Sequence, residues 1–269
     1  MNVMYRSVLI ALVAVAVPAS GKTLNLPVND TYIDSYNDGT AAGDYAHANY
    51  GHFGAIKAVA NSGSPSFPLS KSTVRTLFTL PSEFLSEASG GVSSAVVTFR
   101  VRNNMLNGLT VQLHPLTHTF TAGTGGNSGL TKEATGTVSA PNAPPTTVYG
   151  ADWTSSDGTG SVASAWTGGA YDAAAVSPLG VLNAGATFIS FDITNLIDSP
   201  TAFANISSYG LLMRLTQDED QSHVGNDFIS LYSADTTSLP TITYTVPEPS
   251  ALGLLGGAAA MLLRRRRSV

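Results

Sequence analysis

The sequence predicts an all-β protein, a jelly-roll-like antiparallel β-sandwich. Three observations carry this expectation. Apolar residues recur with period two in several short stretches, while helical periodicity is almost absent. Turn signals built on Gly, Asn, Ser and Pro separate those stretches. Charged residues make up 12% of the chain where about 25% is usual, which favours strands and turns over charged surface helices.

The clearest strand runs from Ala95 to Arg102: Val97, Phe99 and Val101 point to one side, and Thr98, Arg100 and Arg102 to the other. The same alternation recurs at Val111 and Leu113, at Ile189, Phe191 and Ile193, and at Leu211, Met213 and Leu215. It returns from Phe228 to Tyr232 and from Ile242 to Val246. Ser89-Gly90-Gly91, Asn107-Gly108, Asn183-Ala184-Gly185 and Ser238-Leu239-Pro240 mark turns between them. One stretch departs from this pattern. Residues 121–185 read as a long loop excursion, rich in small and polar residues, with Pro141-Asn142-Ala143-Pro144-Pro145 in its middle. Tyr149, Trp153, Trp166 and Tyr171 give the excursion rings with which to dock. No repeat of fixed period and no second core is visible, so residues 22–245 read as one domain.

Both ends read as addresses rather than as fold. Arg6, an apolar stretch from Val8 to Val17, and small residues at Val17-Pro18-Ala19 or Ala19-Ser20-Gly21 form a signal-peptide pattern over residues 1–21. At the other end stand Val246, Pro247, Glu248 and Pro249, then an apolar run from Ala251 to Leu263, then Arg264, Arg265, Arg266 and Arg267. As a helix that run spans roughly 20 Å, short of the roughly 30 Å hydrocarbon core, so it inserts weakly and transiently in the inner membrane. The arginines stay on the cytoplasmic side, leaving the chain before Val246 on the far side. This three-part arrangement over residues 246–269 resembles the PEP-CTERM sorting signal. The resemblance implies cleavage near Pro247-Glu248-Pro249 by an exosortase-type membrane protease, and a product at the cell surface or in the extracellular polysaccharide matrix. A plain C-terminal anchor needs neither the Pro-Glu-Pro core nor so short a span.

Removal of both addresses leaves eight basic and 17 acidic residues, a net charge of −9 against −5 for the precursor. Nucleic acid is thereby excluded as a partner, since neutralising phosphates needs a basic footprint. An acidic polysaccharide is repelled too, except through local cations or bridging Ca²⁺. The chain has no cysteine, so disulfides, a thiolate nucleophile and Cys-ligated zinc are all excluded. The exported fold must hold by its core.

The order of segments along the chain resembles the DNRLRE family, related to disaggregatase domains. The residues that carry it are Asp30-Thr31-Tyr32-Ile33, Asn49-Tyr50-Gly51, Arg75 through Leu80, and Val92-Ser93-Ser94-Ala95 with the strand that follows. It continues through Ala151-Asp152-Trp153-Thr154, Trp166-Thr167-Gly168-Gly169-Ala170-Tyr171-Asp172, Phe191 through Ile197, Tyr209 through Arg214, and Phe228 through Ser233. The resemblance covers most of residues 22–245 and implies a jelly roll that serves as a carbohydrate-binding or surface module. The chain departs from the family in having only Lys71 and Arg75 where a basic-rich segment is usual, and in closing on Ser230-Leu231-Tyr232-Ser233-Ala234-Asp235.

For sugar binding the candidates are Tyr149, Trp153, Trp166 and Tyr171, whose rings either offer stacking platforms for sugar C–H faces or anchor the excursion to the sandwich. For a structural Ca²⁺ the candidates are Asp30, Asp34, Asp218, Asp220 and Asp227, hard oxygen donors in two acidic clusters that read equally as solvated loops. His114 and His118 do not form a zinc pair: Pro115 and the alternation of Val111 and Leu113 make this a strand, on which positions four apart stand about 13 Å from each other. His47, His52 and His223 read as structural or solvated. No catalytic residue is assigned. Asp152 with Asp157 and Asp218 with Asp220 carry no motif, no Gly-x-Ser-x-Gly elbow occurs, and no spacing singles out the base and cation that a polysaccharide lyase needs. The expectation is an exported, non-catalytic surface or matrix protein that binds polysaccharide. The alternatives are a carbohydrate-active enzyme, such as a lyase or glycoside hydrolase, and a structural coat or adhesion protein.

Overall fold

A computed structural model describes residues 20–35, 48–49, 55–61, 72–104, 109–123, 133–134, 150–151, 153–154, 156, 162–183, 185–216, 226–232 and 239–247. In chain order the strands are β1 (Ser20–Asn25), β2 (Asp30–Asp34), β3 (Ala48–Asn49), β4 (Ala55–Asn61), β5 (Ser72–Phe78), β6 (Ser94–Asn104) and β7 (Leu109–Pro115). They continue with β8 (Glu133–Ala134), β9 (Gly180–Leu182), β10 (Phe188–Asp192), β11 (Leu211–Leu215), β12 (Asn226–Tyr232) and β13 (Thr241–Val246). Three short helices, α1 (Ser82–Ala88), α2 (Thr194–Asp198) and α3 (Pro200–Tyr209), interrupt them.

The chain is a β-sandwich of two antiparallel sheets. The first has the order β1-β13-β6-β10 and the second β2-β5-β11-β7-β9. Strands β12 and β4 join the two: β12 pairs with the C-terminal part of β6, β4 with β12, and the start of β5 with β4. Strands β3 and β8 form a separate two-stranded ladder.

Alternation along each strand sends one set of side chains between the sheets. Ala95, Val97 and Phe99 of β6, Ile189 and Phe191 of β10, and Ile242 and Tyr244 of β13 come from the first sheet. Phe78 of β5, Val111 and Leu113 of β7, and Leu211, Met213 and Leu215 of β11 meet them from the second. The rings interlock edge to face, Phe78 against Phe99 at 5.3 Å and Phe84 against Tyr244 at 4.9 Å between centroids, the arrangement that aromatic quadrupoles favour. The strands expected around Val97, Val111, Ile189, Leu211, Phe228 and Ile242 are all present.

The structure adds elements that periodicity did not indicate. Helix α3 begins at Ser199, whose hydroxyl accepts from the Ala202 N–H at 3.4 Å, with Pro200 in the first turn. It ends at Gly210, where φ is +93°. A Cβ there would sit 2.5 Å from the Phe78 carbonyl oxygen, so the turn from α3 into β11 is open to glycine alone. With α1 and α2, this helix adds Phe84, Leu196, Ile197 and Ile206 to the core. Strand β9 and the short β8 lie inside the stretch 121–185 expected as a loop excursion. Strand β1 begins at Ser20, inside the stretch expected as leader.

β1 is held to its neighbours by a polar cluster. Lys22 reaches Glu87 of α1, with Glu83 at 3.9 Å, and the Tyr244 hydroxyl donates to the other Glu87 oxygen at 2.9 Å. The hydrogen bond with Lys22, and then that with Tyr244, holds the Glu87 carboxyl below its usual range. Burial first, and then the bond to Glu87, push the Tyr244 phenol up to about 12. A phenol whose folded pKa lies above its unfolded value of about 10 contributes stability that is complete below pH 10 and disappears as pH rises towards 12. Lys22, also raised, loses its contribution in the same direction.

The thermal midpoint is therefore expected to fall steeply between about pH 10 and about pH 12, and Tyr244→Phe to flatten that fall; a parallel decline in both proteins would contradict the assignment. Gly210→Ala is expected to destabilise the protein by about 1–3 kcal/mol from backbone strain alone, with the clash against Phe78 added, as read by denaturant unfolding.

Candidate functional site: the covered outer face of the second sheet

The second sheet is apolar on both faces. Opposite the sandwich core, Ile33 of β2, Leu77 of β5 and Leu212 of β11 form a second cluster with Leu116 and Ala151, against which Phe120, Trp153, Trp166, Tyr171 and Tyr209 pack. All five residues of β11 are buried, as expected for a strand covered on both sides. The cover is supplied by the stretch after β7. The Asp172 N–H donates to the Pro115 carbonyl at 2.9 Å, Thr117 N–H to Ala170 at 2.9 Å, and Ser177 N–H to Leu113 at 3.0 Å. These bonds carry the excursion along the same edge of β7 that β9 uses further back.

Two arginines stand on this outer face. Arg75 lies two residues before Leu77 on β5, and Arg214 two residues after Leu212 on β11, while Leu77 and Leu212 are cross-strand partners. Alternation therefore places both guanidinium groups on one face of neighbouring strands, where they are only 6% and 9% exposed. Like charges so placed repel, and the excursion provides what holds them. Arg75 Nη1 donates to the Gly168 carbonyl at 2.8 Å, and its guanidinium lies 5.2 Å from the Trp153 ring centroid and 5.4 Å from that of Tyr171. Arg214 lies 5.7 Å from the same Tyr171 ring and donates to its hydroxyl. One tyrosine ring thus serves both cations through its negative face.

Gly168 and Gly169 make this contact possible. Both have positive φ, and a Cβ on Gly168 would come within 2.8 Å of Arg75 Nη1 and of the Trp153 ring. His114, the cross-strand partner of Leu212, places Nδ1 3.1 Å from the Ala175 carbonyl and 3.3 Å from that of Asp172. Since carbonyls only accept, the Nδ1 carries the proton. The imidazole lies 4.9 Å from the Tyr171 ring.

Of the expected sugar-stacking residues, the structure brings Trp153, Trp166 and Tyr171 together and uses them as anchors. Trp153 and Tyr171 pack on Arg75, and Trp166 meets His118 edge to face at 6.4 Å. Tyr149 lies outside the described residues. Of the acidic residues considered for Ca²⁺, Asp30 and Asp34 share β2 four positions apart, about 13 Å along a strand, so they cannot both ligate one ion. Asp227 lies on β12, and Asp218 and Asp220 are outside the described residues. Among the described residues no group of three or more His, Asp or Glu side chains is placed to hold a metal. His114 stands in β7 and His118 beyond its end. Arg75, Arg214 and His114 join this cluster, a role that the sequence does not assign them: His114 is weighed there only as a metal ligand, and the arginines stand only within segments of the resemblance. The available signal is an arginine two positions from a leucine that itself faces away from the core, which marks a covered outer face.

No family model matches the chain, and no curated protein matches it.

Trp153→Ala is expected to destabilise the protein by about 3 kcal/mol, in the range for large aromatic truncations, because it uncovers both Arg75 and the second cluster. Urea unfolding measures this, and an unchanged midpoint would show that the ring is not an anchor.

Proposed function

We propose that this chain is an exported, non-catalytic cell-surface or exopolysaccharide-matrix protein, built on a jelly roll that binds carbohydrate and processed at its C-terminal address by an exosortase-type protease. The observation that carries this reading is that the last ladder of the sandwich ends at Val246, the residue at which the Val246-Pro247-Glu248-Pro249 address begins. Strand order supports the jelly roll: β1-β13-β6-β10 faces β5-β11-β7-β9, with the first and last strands adjacent and successive strands crossing between sheets. A structural Ca²⁺ is retained in the proposal, with one of Asp30 and Asp34 as a ligand alongside residues of the Asp218, Asp220 and Asp227 region.

A carbohydrate-active enzyme is the second reading, and one observation bears on it. Tyr171, His114 and Arg214 are the residue types that proton abstraction beside a substrate carboxylate uses, and they stand together. Arg75, His114 and Arg214 are each at most 9% exposed, however, and the excursion occupies the face from which a polymer would approach. The cluster therefore reads as a clamp.

The test is a glycan array probed with the exported, processed protein, with and without Ca²⁺, together with analysis of the same glycans for new reducing or unsaturated ends. Binding without products is expected. Products would put the enzyme first, and silence in both assays would favour a structural coat protein. A thermal midpoint unmoved by Ca²⁺ or chelator would remove the ion from the proposal.

A further inference from the structure

We propose that the outer face of the first sheet, along β10 and its partner β6, binds an extended, uncharged polysaccharide, with Phe188 as the ring on which a sugar stacks. This inference rests on the carbohydrate reading above and gives it a surface, since Trp153 and Tyr171, expected to stack on sugar, are engaged with Arg75 in the clamp. Among the described residues Phe188 is the one aromatic side chain that is exposed, at 58%. An exposed apolar side chain by itself is ordinary. Phe188 differs in its position. Ile189 and Phe191 of the same strand fill the core, so alternation turns Phe188, Ser190 and Asp192 outward in one line, about 13 Å from end to end. The corresponding face of the second sheet is covered.

Cross-strand pairing fixes what stands beside that line. Arg100, also exposed, is the partner of Phe188, Thr98 of Ser190, and Val96 of Asp192, and partners share a face. The Thr98 and Ser190 hydroxyls meet at 2.9 Å. Thr241 flanks Thr98 from β13, and in the next row the Thr23 and Thr243 hydroxyls meet at 3.0 Å. A hydroxyl carries one donor and two acceptor sites, so each bonded pair keeps a hydrogen to donate and lone pairs to accept with. Sugars match this set, because their C–H faces lie on a ring and their hydroxyls both donate and accept. The Arg100 guanidinium adds donors for sugar oxygens beside the ring. Asp192 supplies an acceptor at the other end, one of its oxygens already holding Thr194. The geometry also selects the charge of the polymer. Asp192 closes the row with a carboxylate, and a net charge of −9 remains without both addresses, so an acidic polymer is repelled along the row and at a distance. Arg100 and Arg102 offer cations only at the ring end.

The experiment is affinity electrophoresis of the exported protein through gels holding dextran, a β-glucan or a galactomannan, with a polyuronate as the acidic comparison. Phe188→Ala and Thr98→Val are run beside the wild type and beside Val181→Ala, which trims an exposed apolar side chain of the second sheet. The expected result is retardation by a neutral polymer, weakened about tenfold by Phe188→Ala, less by Thr98→Val, and unchanged by Val181→Ala. Thermal midpoints are expected to match the wild type, because the substitutions lie on a solvent-facing surface, so that lost retardation reports the contact and not the fold. Wild-type retardation that Phe188→Ala and Thr98→Val both leave intact overturns the site while carbohydrate binding stands. Retardation by the polyuronate alone overturns the neutral class of ligand. No retardation in any gel overturns the carbohydrate reading and the inference with it. Phe188→Ala decides by itself if Thr98→Val fails to fold.

Discussion

A sheet that is apolar on both faces must be covered twice, and most of what is unusual in this chain follows from that constraint. The inner face of the second sheet is covered by the first. The outer face, with Ile33, Leu77 and Leu212, is covered by a segment poor in apolar side chains. Such a segment gains little from burial per residue, since burial contributes only about 25 cal/mol per Å² of apolar surface. It holds instead through a few large rings and a few directed hydrogen bonds. Trp153 and Tyr171 supply the rings, Gly168 the carbonyl, and Arg75 the guanidinium that joins them.

The first sheet ends in a ladder between the first and last strands described. Thr23 and Thr243, whose hydroxyls meet across it, are 220 positions apart. Pairing at such separation forms late, because the entropy of closing the loop precedes any gain from contact. With no cysteine to hold a partly folded chain, the polar cluster of Lys22, Glu87 and Tyr244 is the device that fastens this edge to α1.

Legibility in the sequence divides along physical lines. Strands with one covered face, such as β6 with Val97 and Phe99 inward and Thr98 and Arg100 outward, are read directly, because alternation is the imprint of one-sided burial. β11 carries the same inward set, Leu211, Met213 and Leu215, but Leu212 between them marks a second buried face that alternation alone does not register. The helix α3 leaves no strong apolar period. Its bounds are written in Ser199-Pro200 and Gly210, local capping chemistry that a search for period does not see. β9 is hidden by its brevity and by Gly180, whose missing side chain admits the Phe191 ring: a Cβ there would stand 2.6 Å from it. In the clamp, the aromatic half is visible as rings in a polar stretch. The cationic half is not, since nothing in the strand pattern shows that the excursion lies over Arg75 and Arg214.

The choice of arginine at those two positions has a physical logic. A well-packed apolar side chain would match or exceed a buried cation in stability, because desolvating a charge is expensive. It would, however, hold the excursion only by contact area, and a segment of Gly, Ser, Thr and Ala slides easily over a flat apolar face. A guanidinium has donors in a rigid plane and a flat face that stacks on rings. Arg75 uses the first on the Gly168 carbonyl and the second on the rings of Trp153 and Tyr171, so the cover fits in a single register. Arg214 repeats this with the Tyr171 hydroxyl and ring. The buried charges thus supply position where apolar burial is too sparse to do so, and they fix the segment around Trp153, Gly168 and Tyr171 against the second sheet.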